Sequence, residues 1–268
     1  MCSSDLTLGM RRWESKRVFE EVRQRFREEL DYRLEAERTN IFARTHAGDP
    51  AIIVPQVHPS HTTGRVLTTS FAHGLHFDDA CKASETERRA WACAMWRFVF
   101  KGTLIAGQLN ADPHPGNYVF HEGGKVTFLD YGCVQPFGDR KERAIRGHRA
   151  AVRRDERDFA ESIKLMIASV PGALEDKAVA YTRQCFQPLF ASPYRLTKPF
   201  AASLVDEMKE MAMFARKTKD KEFFTMPADM LFVNRLQFGF YSVLARLDVE
   251  VDYAEVEREF LTAAGHAP

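Results

Sequence analysis

Asp112, Asn117 and Asp130 stand at intervals of five and thirteen residues, and the chain between them leaves few ways to fold. The first two lie in Leu109-Asn110-Ala111-Asp112-Pro113-His114-Pro115-Gly116-Asn117, the third in Phe128-Leu129-Asp130-Tyr131-Gly132. Asp and Asn populate loops for turn reasons alone, so neither string means much by itself. The linking residues carry more information. Tyr118-Val119-Phe120-His121 and Lys125-Val126-Thr127-Phe128-Leu129 alternate or run apolar, and Glu122-Gly123-Gly124 sits between them as a turn. The pattern predicts a β-hairpin that brings Asn117 and Asp130 to one place. A purely structural hairpin with turn-capping Asp and Asn is the alternative, and the joint spacing weighs against it.

That order is the layout of a kinase-type phosphoryl-transfer site: a loop Asp, an Asn five residues on, and an Asp opening a D-aromatic-G turn. One carboxylate orients or accepts the proton of an attacking hydroxyl. The other two groups are hard oxygen ligands suited to Mg2+ bridging nucleotide phosphates. All three side chains are expected to meet around one divalent ion in a cleft between lobes. His114, inside the loop, is expected to brace it rather than bind metal.

The bulk properties exclude several classes. A chain of 268 residues with 45% hydrophobic and 28% charged residues suits a globular protein with a sizeable core. A formal net charge of +1 gives no global field for nucleic acid. The Arg-rich run from Arg140 to Arg157 is interleaved with acids and reads as a solvated helix face. Five scattered cysteines form no C-x-x-C pair, which fits a reducing compartment. Cys133 is expected to be a structural thiol. The most apolar long stretch, Trp91 to Gly107, is interrupted by Arg97 and Lys101, and a start that lacks a basic region followed by an apolar run gives no expectation of a secretory signal.

Along the chain, Phe19, Val22, Phe26, Leu30 and Leu34 recur at helical steps, predicting one long helix or two abutting ones from Glu14 to about Arg44. Ala51 to Val54 reads as a short buried strand and Arg65 to Phe71 as a second strand. Ser84-Glu85-Thr86-Glu87 is a helix start. The helix it opens carries Trp91, Met95, Phe98, Val99 and Leu104 toward a core. Beyond Gly138 the chain reads as all-helical, with segments near 139–168, 173–187, 199–218 and 226–247. Met208, Met211, Phe214, Phe223, Phe224, Met230 and Phe232 are expected to be core rather than a lipid groove. Glu28, Glu29, Asp31, Glu35 and Glu37 crowd one short stretch. Asp31 and Glu35, four apart, are expected to share a helix face, at a cost of about 0.2–0.5 kcal/mol in an isolated helix. The face is read as neutralised by Arg27, Arg33 and Arg38, as turned toward a cation, or as both.

Three strings together identify the chain as resembling the AarF/UbiB family of atypical kinases: Glu29-Leu30-Asp31-Tyr32-Arg33-Leu34-Glu35-Ala36, Ala111-Asp112-Pro113-His114-Pro115-Gly116-Asn117 and Leu129-Asp130-Tyr131-Gly132. Val66-Leu67-Thr68 before an aromatic-x-x-Gly turn adds to them. The likeness runs from about residue 14 to 250. It implies an α+β, mostly helical, protein-kinase-like fold with an incomplete N-lobe and a large helical C-lobe. It implies ATP and Mg2+ as cofactors, with ATP hydrolysis or small-molecule phosphorylation linked to ubiquinone, an isoprenoid quinone lipid. Quinone lipids or quinone-biosynthesis proteins are the implied partners, and nucleic acid is not one. The implied setting is cytoplasmic, with peripheral contact at the inner membrane. Carried over by position, Asp112 is the catalytic-loop Asp, and Asn117 and Asp130 hold the metal. Glu35 is the helix Glu that pairs with a nucleotide-contacting lysine, and Glu29 and Asp31 form the family's E-x-D pair. The backbone of Thr69, Ser70, Phe71 and Ala72 is the adenine hinge. His114, Gly116, Tyr131 and Gly132 support the loops.

Some positions depart from the family. Asn110 stands where His is frequent, Ser70 where an acid is common, and Tyr131 where Phe is usual. The K-x-G-Q helix, the phosphate loop and the lysine strand belong before Glu14, where only thirteen residues stand. The expectation is an N-terminally truncated chain, weak or inactive alone, with a non-native or disordered leader over 1–13. Cys2-Ser3-Ser4-Asp5-Leu6 matches one reading frame of a common sequencing adapter. Residues 14–73 are then the N-lobe remnant, and 74–268 the C-lobe with catalytic loop, hairpin and helical extension. Two other functions stay open: a non-catalytic pseudokinase holding a lipid, and an aminoglycoside- or choline-kinase-type phosphotransferase.

Overall fold

Ser84 starts the helix around which the rest is arranged. Its Oγ accepts the Glu87 N–H and the Glu87 carboxylate accepts the Ser84 N–H, a reciprocal cap on helix Glu85–Leu104. In the computed structural model, which describes residues 23, 27–28, 30–167, 172–217 and 230–268, this helix is the central one. Trp91, Met95, Phe98, Val99 and Leu104 are all buried, as their spacing predicts. Burying one such side chain contributes about 1.5–3 kcal/mol.

In chain order the helices are α1 (Tyr32–Thr45), α2 (Phe77–Ala80), α3 (Glu85–Leu104), α4 (Lys141–Arg153), α5 (Glu156–Ile167), α6 (Ala173–Cys185), α7 (Gln187–Phe190), α8 (Lys198–Lys217), α9 (Met230–Leu247) and α10 (Tyr253–Ala263). The strands are β1 (Ile52–Ile53), β2 (Gln108–Asn110), β3 (Tyr118–His121), β4 (Lys125–Phe128), β5 (Val134–Pro136), β6 (Tyr194–Arg195) and β7 (Glu250–Val251). β3 and β4 form the predicted antiparallel hairpin, in register Tyr118 to Phe128, and β1 adds to β4 in parallel. β2 and β5 pair antiparallel, so Asn110 lies opposite Val134. The hairpin turn presses on α3: a Cβ on Gly124, whose φ is +77°, would sit 2.7 Å from Ala90 Cβ.

Five expectations change against the structure. The helix predicted from Glu14 is interrupted. Residues 23, 27 and 28 are helical, then Leu30 turns out, 78% exposed, and Asp31 caps α1 by accepting the Arg33 N–H at 3.1 Å. Asp31 therefore precedes the helix instead of sharing a face with Glu35 inside it, and its carboxylate stabilises the N-terminus. Phe19, Val22, Phe26 and Glu29 lie outside the described residues. The strand expected over 65–71 reduces to a bridge between Thr69 and Val57, because only residues 56–58 face it. Val66 and Phe71 are left 52% and 81% exposed. The helix expected over 139–168 divides at Arg154, which is left-handed at φ 59°, because Asp155 caps a new helix by accepting the Asp158 N–H at 3.0 Å. Last, the C-terminal part contains the β6–β7 pair, and α10 lies beyond the last predicted helix.

Met208, Met211 and Phe214 pack into the main core as read, while the side chains of Phe223, Phe224, Met230 and Phe232 lie outside the described residues. Cys81, Cys93, Cys133 and Cys185 are unbridged, and Cys133 is buried. No helix among the described residues is long and apolar enough to cross a membrane.

Candidate active site

The hairpin delivers what its sequence promised. Asn117 ends a short turn opened by His114, whose Nδ1 accepts the Gly116 N–H at 3.1 Å. At Gly116 a Cβ would meet that same nitrogen at 3.0 Å. The Asn117 amide nitrogen donates to Asp112 Oδ2 at 2.9 Å, so the amide oxygen is the atom it can offer a cation. Across the hairpin, the Gly132 N–H donates to Asp130 Oδ1 at 2.8 Å and fixes that carboxylate. Asp112, Asn117 and Asp130 line one small cavity with Asn110, walled by Phe98, Tyr118 and Phe128. Asp112 and Asp130 also face an adjoining cleft of about 430 Å³ with Tyr32, Glu35, Leu67, Gly132 and Cys133.

Aromatic packing holds this arrangement in place. Tyr131 is fully buried, with its ring 5.2 Å from that of Phe42 on α1, and its hydroxyl donates to the Phe128 carbonyl at 2.9 Å. The Tyr-for-Phe change thus keeps the plug and adds a partner for its hydroxyl. Phe98 on α3 stacks on Phe128 at 3.6 Å and meets Phe42 at 5.2 Å. From the far side, α9 comes so close that a Cβ on Gly239 would lie 2.4 Å from Pro113 Cγ.

α1 is tied to the D-Y-G turn twice. The Tyr131 N–H donates to Glu35 Oε1 at 3.4 Å, and Arg38 donates to the Gly132 carbonyl at 2.7 Å while pairing with Glu28 at 2.5 Å. No lysine pairs with Glu35 among the described residues. Burial, then the Asp130 charge, raises the Glu35 carboxyl above its ordinary 4.5, opposed by the Tyr131 N–H and Arg38. The folded chain therefore holds this proton more tightly than the unfolded one. The stability it contributes is complete below the unfolded value and fades as pH rises through the folded one. In the absence of divalent cations, Glu35→Gln should raise the melting temperature at pH 7 and leave it unchanged at pH 4. An equal shift at both pH values would show that the Glu35 charge is not the cause.

Not every expected site residue joins this cluster. Of the hinge candidates, Ser70 N–H donates to the Gln56 carbonyl at 2.8 Å and Ser70 Oγ accepts the Gln56 N–H at 2.9 Å. Thr69, Ser70, Phe71 and Ala72 do not line either cavity. Asp31 serves as the α1 cap, and Glu29 is outside the described residues. Asn110 and Arg38 hold main-chain groups of this cluster and are not among the residues expected there. Asn110 was visible only as a departure from the family pattern and Arg38 only as a neutralising charge.

No three His, Cys, Asp or Glu side chains group as a metal site among the described residues. The candidate centre offers two carboxylates and one amide oxygen, a set that fits Mg2+, which completes its shell with substrate phosphates and water.

Residues 3–163 match the family described as ABC1 atypical kinase-like domain. The chain is 33% identical over 129 residues to an uncharacterised protein, MT0675, of Mycobacterium tuberculosis, covering 46% of this chain and 26% of that one. It is 27% identical over 138 residues to ACTIVITY OF BC1 COMPLEX KINASE 3, chloroplastic, of Arabidopsis thaliana, covering 49% of this chain and 19% of the relative. It therefore spans only a minor part of these relatives' lengths. A solved structure of Rv3197 with erythromycin, from Mycobacterium tuberculosis, superposes with a TM-score of 0.66 at 19% identity, over 93% of this chain and 62% of that one. The last likeness concerns the fold alone. The matched region holds the hairpin and all three of its flanking polar residues, and with it the chain belongs to the ABC1 atypical kinase-like family, the AarF/UbiB kinases, and has their mostly helical, kinase-like fold.

Proposed function

We propose that the cleft between α1 and the hairpin binds ATP with Mg2+ and that the complete protein transfers or hydrolyses its terminal phosphoryl group. One observation carries this reading. Asp112, Asn117 and Asp130, spread over nineteen residues of sequence, line one cavity, with Asp112 and Asn117 already hydrogen-bonded. Asn117 and Asp130 would hold the cation, which when bound neutralises phosphate charge. Asp112 takes the proton of the attacking hydroxyl or water as the new oxygen–phosphorus bond forms and the bond to ADP breaks. Gly132 keeps the Asp130 carboxylate in place through its N–H, and Tyr131 and Phe128 exclude water from behind. In this reading residues 14–73 serve as a smaller lobe and 74–268 as the larger.

The family resemblance extends the proposal to an acceptor associated with isoprenoid quinone lipids, met by a protein that works beside a membrane. The test is titration with Mg-ATP, monitored by melting temperature and ADP release. A shift that needs both Mg2+ and ATP supports the reading. In Asp112→Asn the shift should persist while ADP release by the complete protein falls about 100-fold or more, the upper part of what acid–base catalysis supplies. Loss of binding and of turnover together in that variant would point away from a base role for Asp112.

A further inference from the structure

Asn110 is 8% exposed, at the end of β2, with no place in the reaction just described. Its side chain makes two contacts, both to main chain and both beside the proposed cation centre. The amide nitrogen donates to the Asp130 carbonyl at 2.8 Å, and the amide oxygen accepts the Asp112 N–H at 3.2 Å. These two aspartates belong to separate segments, eighteen residues apart, that share no ladder of their own at this point. The β2–β5 pair brings the segments alongside, with Asn110 opposite Val134 and the Ala111 N–H donating to the Cys133 carbonyl at 2.8 Å. That ladder sets the strands, the Gly132 N–H and the Asn117 amide hold the two carboxylates within their own segments, and Asn110 ties one segment's main chain to the other's.

We propose that Asn110 is a positioning residue, one carboxamide stapling the Asp112 and Asp130 backbones so that Asp130 is held where it can ligate the cation with Asp112 kept beside it. The inference rests on the proposed cation centre and adds the means by which its two segments are held together. The chemistry suits the task. The two groups to be joined are one carbonyl and one N–H, so the staple must donate and accept at once. A carboxamide does both in a fixed plane and carries no charge of its own. An aliphatic side chain does neither and leaves two polar main-chain groups unpaired in a buried place. A carboxylate accepts from Asp112 but opposes the Asp130 carbonyl. Neutral imidazole has one donor and one acceptor nitrogen, so histidine is the substitute that retains both functions. Groups that hold metal ligands in place commonly affect metal affinity by about 10–100-fold when removed.

The test uses Mn2+ alone, followed by electron paramagnetic resonance at pH 8, on the wild-type chain and on Asn110→Ala, Asn110→Ser, Asn110→His and Asp130→Asn. Melting temperature without metal is recorded for each. Asn110→Ala should bind Mn2+ about 10–100-fold more weakly. Asn110→Ser, too short to reach both partners, should fall between. Asn110→His should return to within a few-fold of wild type. Asp130→Asn should lose binding altogether. If Asn110→Ala does not fold, the serine and histidine variants decide between themselves: weaker binding in serine than in histidine supports the staple, and equal binding overturns it. Wild-type affinity in the alanine variant, with binding lost in Asp130→Asn, overturns the staple and leaves the cation centre standing. Unchanged Mn2+ affinity in Asp130→Asn removes the centre itself, and the staple with it. A histidine variant that binds as weakly as alanine also overturns the proposal, since both then act through packing.

Discussion

Asp130→Asn is expected to remove cation binding by the isolated chain and to reduce Mg-dependent turnover of the complete protein about 1,000-fold or more. Three contacts make this the most sensitive position in the cleft. Asp130 Oδ1 is fixed by the Gly132 N–H, its carbonyl by Asn110, and the turn behind it by Arg38 on Gly132. Asparagine preserves the shape and removes the charge, and it can turn an NH2 group where a cation requires oxygen. Each tenfold loss of rate corresponds to about 1.4 kcal/mol, so the predicted loss is roughly 4 kcal/mol. That is the scale of one preorganised electrostatic group in a water-poor site. The folded state should tolerate the change, because the substitution relieves the repulsion between Asp130 and Glu35. Isothermal titration with Mg2+, turnover and melting temperature, taken together, separate the two effects. Wild-type turnover in this variant would mean that Asp130 holds no metal.

The second large effect concerns stability. Glu257→Ala should lower the unfolding free energy by about 2–6 kcal/mol, the cost of leaving two buried hydrogen-bonding partners, each worth about 1–3 kcal/mol, without their acceptor. Glu257 is fully buried on α10, where one carboxylate oxygen accepts the Trp96 indole N–H at 3.0 Å and the other meets His148 Nδ1 at 2.8 Å. The three side chains join α10 to α3 and α4 at the back of the core. Removing the carboxylate leaves two donors facing a cavity. Asp is too short to reach both, whereas Gln keeps one acceptor for Trp96 and should cost about half as much. For a chain of this size, each kcal/mol corresponds to about 2–4 °C. Denaturant melts of the three variants give the ranking Gln, then Asp, then Ala. An alanine variant as stable as wild type would mean that the triad contributes nothing net.

The sequence made the site more legible than its surroundings, for physical reasons. The β3–β4 hairpin was readable because alternation, a Glu-Gly-Gly turn and flanking polar residues all agree at short range. The α3 start was readable because Ser84 and Glu87 carry a complete cap within four residues. Two helix starts were equally encoded and went unread: Asp155 before α5, and Asp252 before α10, whose carboxylate accepts the Glu255 N–H at 3.0 Å. The extended segment 65–71 was misjudged because β-propensity states a preference, while a strand also needs a partner and an apolar layer. Asn110 and Arg38 could not be assigned from sequence. The contacts that give them their roles reach main-chain groups 20 and 94 residues away, and main-chain groups leave no residue-type signature.

The most direct test is a crystal of the chain grown with Mn2+ and an ATP analogue, measured at the manganese absorption edge. An anomalous peak is expected within coordination distance of Asp130 and the Asn117 amide oxygen, with Asp112 beside it. A peak elsewhere, or none at these residues in crystals that hold the nucleotide, would contradict that cation centre.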